Sequence, residues 1–319
     1  MIEAMIHAVE AAARATRFVQ SSSRLDGIAK DDRSPVTVAD WASQAVVSIL
    51  LGSGHPIVGE EDAGTLRAPE SEPLRERVVE AVSHAIARPA SAGEVLDAID
   101  ACRAAPADMY YTLDPVDGTK GFLRRQQYAI SLAFLRDGVV RSGVVGCPNL
   151  PADDGEYDTP DPLGCLAWAT FLGGAQMRHG HGPAHRLAIA PWRPGQPVRS
   201  CESVESAHSK HDLSAALLED LGEAGRPARL DSQCKYVVVA RGGADVYMRL
   251  PVKADYREKI WDHAAGALVA SEAGARVVDV DGQPLFFGRS RELTENRGVL
   301  AGHPEVVRRL LEAFAARVR

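Results

Sequence analysis

Residues 113–122, LDPVDGTKGF, constrain the fold of this chain more than any other stretch. Asp114 and Asp117 stand three residues apart on a turn stiffened by Pro115, and a β-prone run, residues 109–113, leads into them. Two carboxylates on one tight turn repel each other unless a cation lies between them, and hard divalent ions such as Mg²⁺ take oxygen ligands. The stretch predicts a metal-dependent phosphate site at the end of a strand. Its Asp-Gly pair equally fits an ordinary hairpin turn.

Composition and charge exclude several classes of protein. The formal net charge of −7 argues against binding along a nucleic-acid backbone, although a single nucleotide needs only a few local cations. No stretch approaches the ~20 apolar residues of a membrane span, and the N-terminus lacks the pattern of a signal peptide. The five cysteines contain no C-x-x-C pair, which disfavours zinc sites and disulfide frameworks. We therefore expect a cytoplasmic protein that binds neither a membrane nor polymeric nucleic acid.

Hydrophobic periodicity predicts helices and strands mixed along the whole chain. Helical patterns cover residues 1–20, 41–51, 69–105 (in two pieces broken near Pro89), 212–221, 261–273 and 304–318. Strand and hairpin patterns cover residues 55–58, 109–113, 128–135, 139–145, 164–171, 175–187, 198–206, 244–250 and 275–280, while 232–240 fits either type. Neither a P-loop nor a Rossmann fingerprint occurs. The mixture predicts a layered α/β or α+β protein rather than a purely parallel doubly wound sheet.

Acidic residues stand at the ends of several separate predicted elements. They are Asp40, Glu60, Asp114 with Asp117, and Asp262. If the fold brings them together, they form the ligand set of a site with two ions about 4 Å apart, which polarises phosphoryl oxygens. Simpler interpretations remain open, because Asp40 stands where a helix N-cap would stand and Glu60 lies in a run of three acids typical of a solvated loop.

The hydroxyl of Thr119 lies directly beside these acids in sequence. It could orient a nucleophilic water, with Asp40 or Glu60 accepting the proton, or it could simply cap a helix. A helix beginning at residues 118–119 would also offer free N–H groups to a phosphate. The chemical interpretation and the capping interpretation are both consistent with the sequence at this point.

Four residues in the second half of the chain could contact a nucleotide. Ser232, Lys235 and Arg249 are candidates for a second, cationic contact surface, and His208 could stack on or hydrogen-bond to a base or ribose. Each of them taken alone also fits an ordinary surface position.

The order and spacing of these motifs identify a resemblance. VTVAD, GEED, LDPVDGTKGF and WDHAAGALVASEAG resemble the magnesium-dependent, lithium-sensitive phosphatases of the inositol monophosphatase superfamily. The runs SPVTVADWASQ, DGTKGFLR, QYAISLAFL, GCPNLP, HSKHDLSA, LDSQCKY, ADVYMRLP and REKIWDHAAG resemble its 3′(2′),5′-bisphosphate nucleotidases of the yeast and plant salt-tolerance type. The similarity runs from about residue 34 to residue 274.

The resemblance implies a fold and a reaction. The fold is the layered αβαβα sandwich of the inositol monophosphatase and fructose-1,6-bisphosphatase type. The reaction, which belongs to sulfur metabolism, is hydrolysis of the 3′-phosphate of adenosine 3′,5′-bisphosphate to AMP, with 3′-phosphoadenylyl sulfate also accepted. Inositol or sugar monophosphates are the alternative substrates, against which Lys120 and LDSQCKY count. A non-catalytic nucleotide sensor is a second alternative.

The resemblance also implies roles for individual residues. Two or three Mg²⁺ ions would be held by Glu60, Asp114, the backbone carbonyl of Val116, Asp117 and Asp262. Asp40 and Thr119 would activate the attacking water. The nucleotide would be contacted by His208, Ser232, Lys235 and Arg249, with Thr119 near the phosphate.

Two positions depart from the family pattern, and one segment suggests a domain boundary. Arg124-Arg125 stands where relatives usually have Arg-Gly, and Lys210 adds a charge within HSKHD. The Pro-, Asp- and Gly-rich residues 148–162 predict a boundary. We expect an N-terminal α+β domain of residues 1–155 with most of the acids. A C-terminal α/β domain of residues 156–319 would supply Asp262 and the nucleotide contacts.

Overall fold

A computed structural model describes residues 1–21, 27–29, 35–153, 157–204, 211–222, 225, 227–251, 253, 256–288 and 290–318. The helices are α1 (Ile2–Ser21), α2 (Val38–Leu51), α3 (Gly64–Arg67), α4 (Glu72–Ile86), α5 (Ala92–Asp100), α6 (Thr119–Leu123), α7 (His211–Asp220), α8 (Cys234–Ala240), α9 (Ala264–Glu272) and α10 (Pro304–Val318). The strands are β1 (Gly27–Ala29), β2 (Pro35–Thr37), β3 (Ile57–Gly59), β4 (Met109–Asp117), β5 (Ala129–Arg136), β6 (Val139–Cys147), β7 (Cys165–Thr170), β8 (Gly174–His179), β9 (His185–Arg186), β10 (Ser200–Glu202), β11 (Ala228–Arg229), β12 (Val246–Arg249), β13 (Arg276–Val278) and β14 (Val299–Gly302).

Two sheets form the framework. The larger has seven strands in sequential order, β3 to β9, and is antiparallel except for the parallel pair β3–β4. The smaller has five strands in the order β11-β10-β12-β14-β13, with parallel pairing around β10 and antiparallel pairing around β14. Strands β1 and β2 pair separately. The hairpins expected from β5–β6 and β7–β8 are confirmed.

Helices cover the two sheets and fill the space between them. Helices α1 and α2 pack on one face of the large sheet, α9 packs on its other face, and α8 and α9 contact the small sheet. Helix α10 packs on β14 and against α7, so the layers run α, β, α, β, α. The sandwich inferred from the resemblance, and with it the mixed α/β class, is confirmed.

Alternation along the strands supplies the apolar cores between these layers. On β6, Val144 belongs to the core under α1 and α2, while the next residue, Val145, belongs to the core around α8 and α9. On β14, Leu300 faces the core under α7 and α10, and Ala301 faces the central one. Because both faces of these strands are buried, their sequences read as almost continuous apolar runs.

A close helix–sheet contact holds α9 over the large sheet. A Cβ atom at Gly143 on β6 would lie 2.9 Å from the backbone oxygen of Ala265, so only glycine allows this approach.

The large sheet takes strands from both sides of residue 155. The division into two domains at that residue stays a prediction. In the parts of the chain that the structure describes, no helix has the length and apolar character required to cross a membrane.

Candidate active site

The N-terminus of α2 holds Asp40 toward the site. Thr37 is the N-cap and Asp40 is the third helical residue of a capping box, so Asp40 does help to cap α2, although it does not occupy the N-cap position. Its Oδ2 accepts hydrogen bonds from the Thr37 backbone N at 2.8 Å and from the Thr37 hydroxyl at 2.6 Å. This leaves Oδ1 to accept from the Thr119 hydroxyl at 3.3 Å. The structure therefore brings together the two residues that the sequence paired.

Two further polar side chains on the same face of α2 fix neighbouring segments. Ser43 donates to the carbonyl of Pro115 at 2.7 Å. Gln44 donates to the carbonyl of Glu61 at 2.8 Å and accepts from the Glu61 N–H at 3.1 Å. Because helical residues at i, i+3 and i+4 share a face, Asp40, Ser43 and Gln44 connect α2 to both predicted acidic segments. Glu61 is buried, Glu60 is half-buried and Asp62 is exposed, so the run of three acids is not a fully solvated loop.

The LDPVDG stretch is not a hairpin turn. Strand β4 continues to Asp117, and its register against β5 slips between Asp114 and Asp117, which forms a bulge. Gly118 follows with φ +87°, in the left-handed region that favours glycine. Helix α6 then begins at Thr119 with Gly118 as its N-cap, so the capping interpretation of Thr119 is wrong. The Thr119 hydroxyl lies 3.2 Å from the carbonyl of Val116 as well as 3.3 Å from Asp40 Oδ1, so its single proton can be donated to either oxygen.

Four predicted ligands converge around this bulge, and we call Glu60, Asp114, Asp117 and Asp262 the acidic cluster. Burial, together with the negative charges of Glu60, Asp117 and Asp262, raises the pKa of Asp114 well above its usual range. Burial raises the pKa of Asp117 to about 6, although Lys235 opposes the shift. Like charges held this close destabilise the ionised state of the cluster.

Asp262 reaches the cluster from the far side of the site. It lies in a 3-10 turn, Ile260–Asp262, and α9 begins only at Ala264, so the expected helix from residue 261 is shorter. Burial raises the pKa of Asp262 well above its usual range, Arg249 acts in the opposite direction, and Asp117 adds to the increase.

Gln233 links the two halves of the cluster. Its backbone N–H donates to Asp117 Oδ2 at 2.6 Å. Its side-chain amide donates to the carbonyl of Trp261 at 2.8 Å and accepts from the Gly266 N–H at 2.8 Å. One buried glutamine thus ties the bulge of β4 to the segment that carries Asp262. The sequence interpretation did not assign it a role.

Lys235 and Ser232 are not surface residues. Lys235 is only 3% exposed; its Nζ donates to the carbonyl of Leu230 at 3.1 Å and lies 5.2 Å from the centre of the Tyr247 ring. Burial lowers the pKa of Lys235, while the nearby Asp117 raises it. Ser232 is also buried and adopts φ +72°, which presses residues 231–232 against Gly118. Because both side chains are buried beside the cluster, the interpretation of Lys235 and Ser232 as ordinary surface residues is wrong.

Arg249 belongs to a buried chain of hydrogen bonds that the sequence did not reveal, and we call Arg249, Glu258, His263 and Tyr236 the ion network. Arg249 Nη2 lies 2.6 Å from Glu258 Oε2. His263 contacts Glu258 Oε2 through Nε2 at 3.3 Å and the Tyr236 hydroxyl through Nδ1 at 2.8 Å. Candidate ligand atoms of Glu258, Asp262 and His263 lie within 4.8 Å of one another. Glu258 and His263 are engaged with Arg249 and Tyr236.

The two departures from the family pattern have different outcomes. Arg125 has φ +59°, a backbone conformation that glycine adopts without strain, at the end of α6. Arg124 forms an ion pair with Asp231, which is buried next to the cluster. His208 and Lys210 lie outside the described residues, so the predicted base contact of His208 remains a prediction.

Comparisons with known proteins show the family and the fold of this chain. Residues 1–318 match the Inositol monophosphatase family. A 3′(2′),5′-bisphosphate nucleotidase of Oryza sativa is 40% identical over 326 residues, covering 96% of this chain and 91% of that protein. One of Schizosaccharomyces pombe is 38% identical over 315 residues, covering 94% of this chain and 89% of that protein. The crystal structure of extragenic suppressor protein suhB from Bartonella henselae superposes with a TM-score of 0.65 at 19% identity, covering 98% of this chain and 97% of that one.

Proposed function

The chain belongs to the inositol monophosphatase family, and from this premise we propose that it is a magnesium-dependent nucleotide phosphatase. Its substrate is adenosine 3′,5′-bisphosphate, from which it releases the 3′-phosphate to leave AMP. We include 3′-phosphoadenylyl sulfate as a second substrate. The relatives named 3′(2′),5′-bisphosphate nucleotidase support this choice over an inositol phosphate. The observation that carries the proposal is the acidic cluster beside the paired side chains of Asp40 and Thr119.

The acidic cluster fits a divalent cation. Asp114 Oδ1 is buried and has no hydrogen-bond partner among the residues that the structure describes. A buried carboxylate oxygen without a donor is costly unless something else satisfies it, and hard cations prefer oxygen ligands. Glu60, Asp114, Asp117, Asp262 and the carbonyl of Val116 would hold two or three Mg²⁺ ions. Bound there, Mg²⁺ would stabilise the negative charge on the phosphoryl oxygens.

Asp40 and Thr119 would move the proton of the attacking water. Because Thr37 occupies Asp40 Oδ2, the other carboxylate oxygen is oriented toward the Thr119 hydroxyl. A water that donates to Thr119 Oγ1 passes its proton there, while the hydroxyl proton moves to Asp40 Oδ1. Holding both groups in place before the reaction lowers the reorganisation that the transition state requires.

The cationic side of the site would bind the nucleotide. Lys235 places a buried ammonium beside Asp117, and Arg249 places a guanidinium beside Asp262. An anionic substrate is attracted to these charges, which are screened little because they are buried. Ser232 and His208 would complete the contacts to the sugar and the base.

Phosphate release from a matched set of substrates tests this proposal. The metal-stripped protein is assayed with and without Mg²⁺ on adenosine 3′,5′-bisphosphate, 3′-phosphoadenylyl sulfate, inositol 1-phosphate and 5′-AMP, which lacks the 3′-phosphate. We expect Mg²⁺-dependent release from the first two and none from 5′-AMP. Faster release from inositol 1-phosphate would assign the chain to the alternative substrate class. Tight nucleotide binding without release from any substrate would identify a sensor.

A further inference from the structure

One nitrogen of Arg249 faces two carboxylates at unequal distances. Its Nη2 lies 2.6 Å from Glu258 Oε2 and 3.7 Å from Asp262 Oδ2. The closer pair is a charge-assisted hydrogen bond, whereas the longer one exceeds hydrogen-bond distance. We propose that Glu258 is a positioning residue that holds Arg249 away from Asp262 and so keeps the Asp262 carboxylate available for the divalent cation. This inference rests on the proposed function, which makes Asp262 a metal ligand.

Glu258 can hold Arg249 in place because His263 fixes the Glu258 carboxylate through a hydrogen bond. A carboxylate accepts hydrogen bonds only, so the His263 nitrogen that faces it, Nε2, carries the proton in the neutral ring. Nδ1 then accepts from the Tyr236 hydroxyl at 2.8 Å. His263 and Tyr236 are fully buried, which fixes the tautomer and the orientation of the chain.

Close packing prevents the chain from shifting. A Cβ atom at Gly266 on α9 would lie 2.4 Å from Cδ2 of the Tyr236 ring, so the ring fills the space over that glycine. The Tyr236 ring also meets Tyr247 edge to face, with centroids 5.0 Å apart. Glu258 therefore has a rigid support, and Arg249, with a side chain only 15% exposed, has little freedom to leave it.

Without the Glu258 charge, the Asp262 carboxylate becomes the nearest carboxylate partner among those that Arg249 Nη2 already faces. The Asp262 carboxylate is within 4 Å, and Arg249 Nε is buried without a hydrogen-bond partner in the described part of the chain. A two-point contact with Asp262 would satisfy that donor as well as the guanidinium charge. The arginine would then compete with an external cation for the same oxygens. Loss of Glu258 should thus weaken metal binding, and simultaneous loss of Arg249 should restore it.

A double-mutant cycle on Mn²⁺ binding tests this. Mn²⁺ is titrated into the metal-stripped protein and followed by its electron paramagnetic resonance signal, with phosphate release as a second readout. The variants are Glu258→Gln, Arg249→Met and Glu258→Gln with Arg249→Met. Glu292→Gln is the matched control, because Glu292 pairs with Lys259 in a contact that is 41% exposed on the glutamate side. Thermal melts verify that each variant is folded.

The outcomes separate positioning from a structural role. We expect Glu258→Gln to weaken Mn²⁺ binding about tenfold, since an opposite charge at this distance shifts the pKa of a carboxylate by about one to three units. Arg249→Met should bind Mn²⁺ at least as tightly as the parent, and the double variant should recover parental affinity. Glu258→Asp should recover part of the loss. A double variant as weak as Glu258→Gln, or a Glu258→Gln protein with unchanged affinity, overturns the inference alone. Parent protein that binds no Mn²⁺ overturns the proposed function as well.

Discussion

Asp114 and Glu258 are both buried carboxylates in the same site, yet their pKa values move in opposite directions. For Asp114, burial and the neighbouring acids raise the pKa well above its usual range. For Glu258, burial alone would raise it, but Arg249 and the hydrogen bond from His263 lower the pKa to about 2. The ion network carries its own counter-charge, whereas the acidic cluster does not. The difference indicates that the acidic cluster, and not the ion network, needs positive charge from outside the chain.

This contrast separates two roles that residues in the site can have. Members of the ion network hold each other in place, so removing one of them should displace the side chains of the others. Members of the acidic cluster repel each other, so removing one of them should relieve strain while it removes function. Stability and activity are expected to change in opposite directions in the cluster and in the same direction in the network.

The largest effect is expected for Asp117→Asn. The amide keeps the shape and still accepts the hydrogen bond from the Gln233 N–H, but it removes one negative charge from the cluster. Phosphate release should fall by at least about 10³-fold, because the proposed metal site would lose the charge of one of its ligands. The melting temperature of the metal-free variant should not fall below that of the parent. Retained turnover would rule out a metal role for Asp117.

The next largest effect is expected for Thr119→Val, which removes the hydroxyl but keeps the branched shape. Its hydrogen bond to Asp40 disappears, so kcat should fall by about 10²- to 10⁴-fold, the usual range for a proton-transfer group. Thr119→Ser, which keeps the hydroxyl, is the control and should retain most of the activity. A large loss in Thr119→Ser with little loss in Thr119→Val would show that the methyl group, rather than the hydroxyl, matters.

Lys235→Met tests the cationic side by itself. If Lys235 contacts the anionic substrate as proposed, losing this buried charge should raise KM about tenfold, in line with a hydrogen bond to a charged group. Mn²⁺ affinity should not decrease, because removing a positive charge near Asp117 cannot weaken attraction of a cation. Titrations of both ligands against the same variant provide the comparison. A loss of Mn²⁺ affinity with unchanged KM would assign Lys235 to metal binding rather than to nucleotide binding.

The smallest effect is expected at Arg125, which belongs to neither the acidic cluster nor the ion network. Arg125→Gly should stabilise the protein by up to about 1 kcal/mol, because the residue has a positive φ that costs a side chain about this much. Arg124→Gly is the control at the neighbouring C-cap position, where φ is −78°, and it should destabilise because the ion pair with Asp231 is lost. Urea unfolding measures both. A destabilised Arg125→Gly variant would show that its side-chain contacts outweigh the strain.

The sequence predicted the layers, and it named the acids that the structure brings together, for identifiable reasons. The apolar runs of β5 and β6, the periodicity of α1 and the Gly stop after α9 are local signals, and the structure has these elements. Strand β14 escaped detection because its four residues, Val299–Gly302, form a short run between loops. It nevertheless occupies an interior position in the small sheet.

Residues that act through distant contacts were not found. Gln233 lies far in sequence from Asp117, so only the folded chain shows their hydrogen bond. Glu258 is close in sequence to Arg249, but no local pattern indicates that the two side chains form an ion pair. Lys235 read as a surface residue because lysine is rarely buried, and its burial depends on packing against Tyr247. The N-cap of α2 is Thr37 rather than Asp40 because Thr37 is itself a good capping residue and pairs with Asp40 in a capping box.

The pH dependence of Mg²⁺ stabilisation tests the account most directly. The pKa of Asp117 rises from its usual value of 3.8 to about 6 in the folded protein. The folded metal-free protein therefore holds a proton that the unfolded chain releases; this stabilisation is present below the unfolded pKa and is lost as pH rises through about 6. We predict that Mg²⁺ raises the melting temperature by several degrees at about pH 7.5 and much less at about pH 5. Equal increases at both pH values, or none, would contradict a cluster that depends on an external cation.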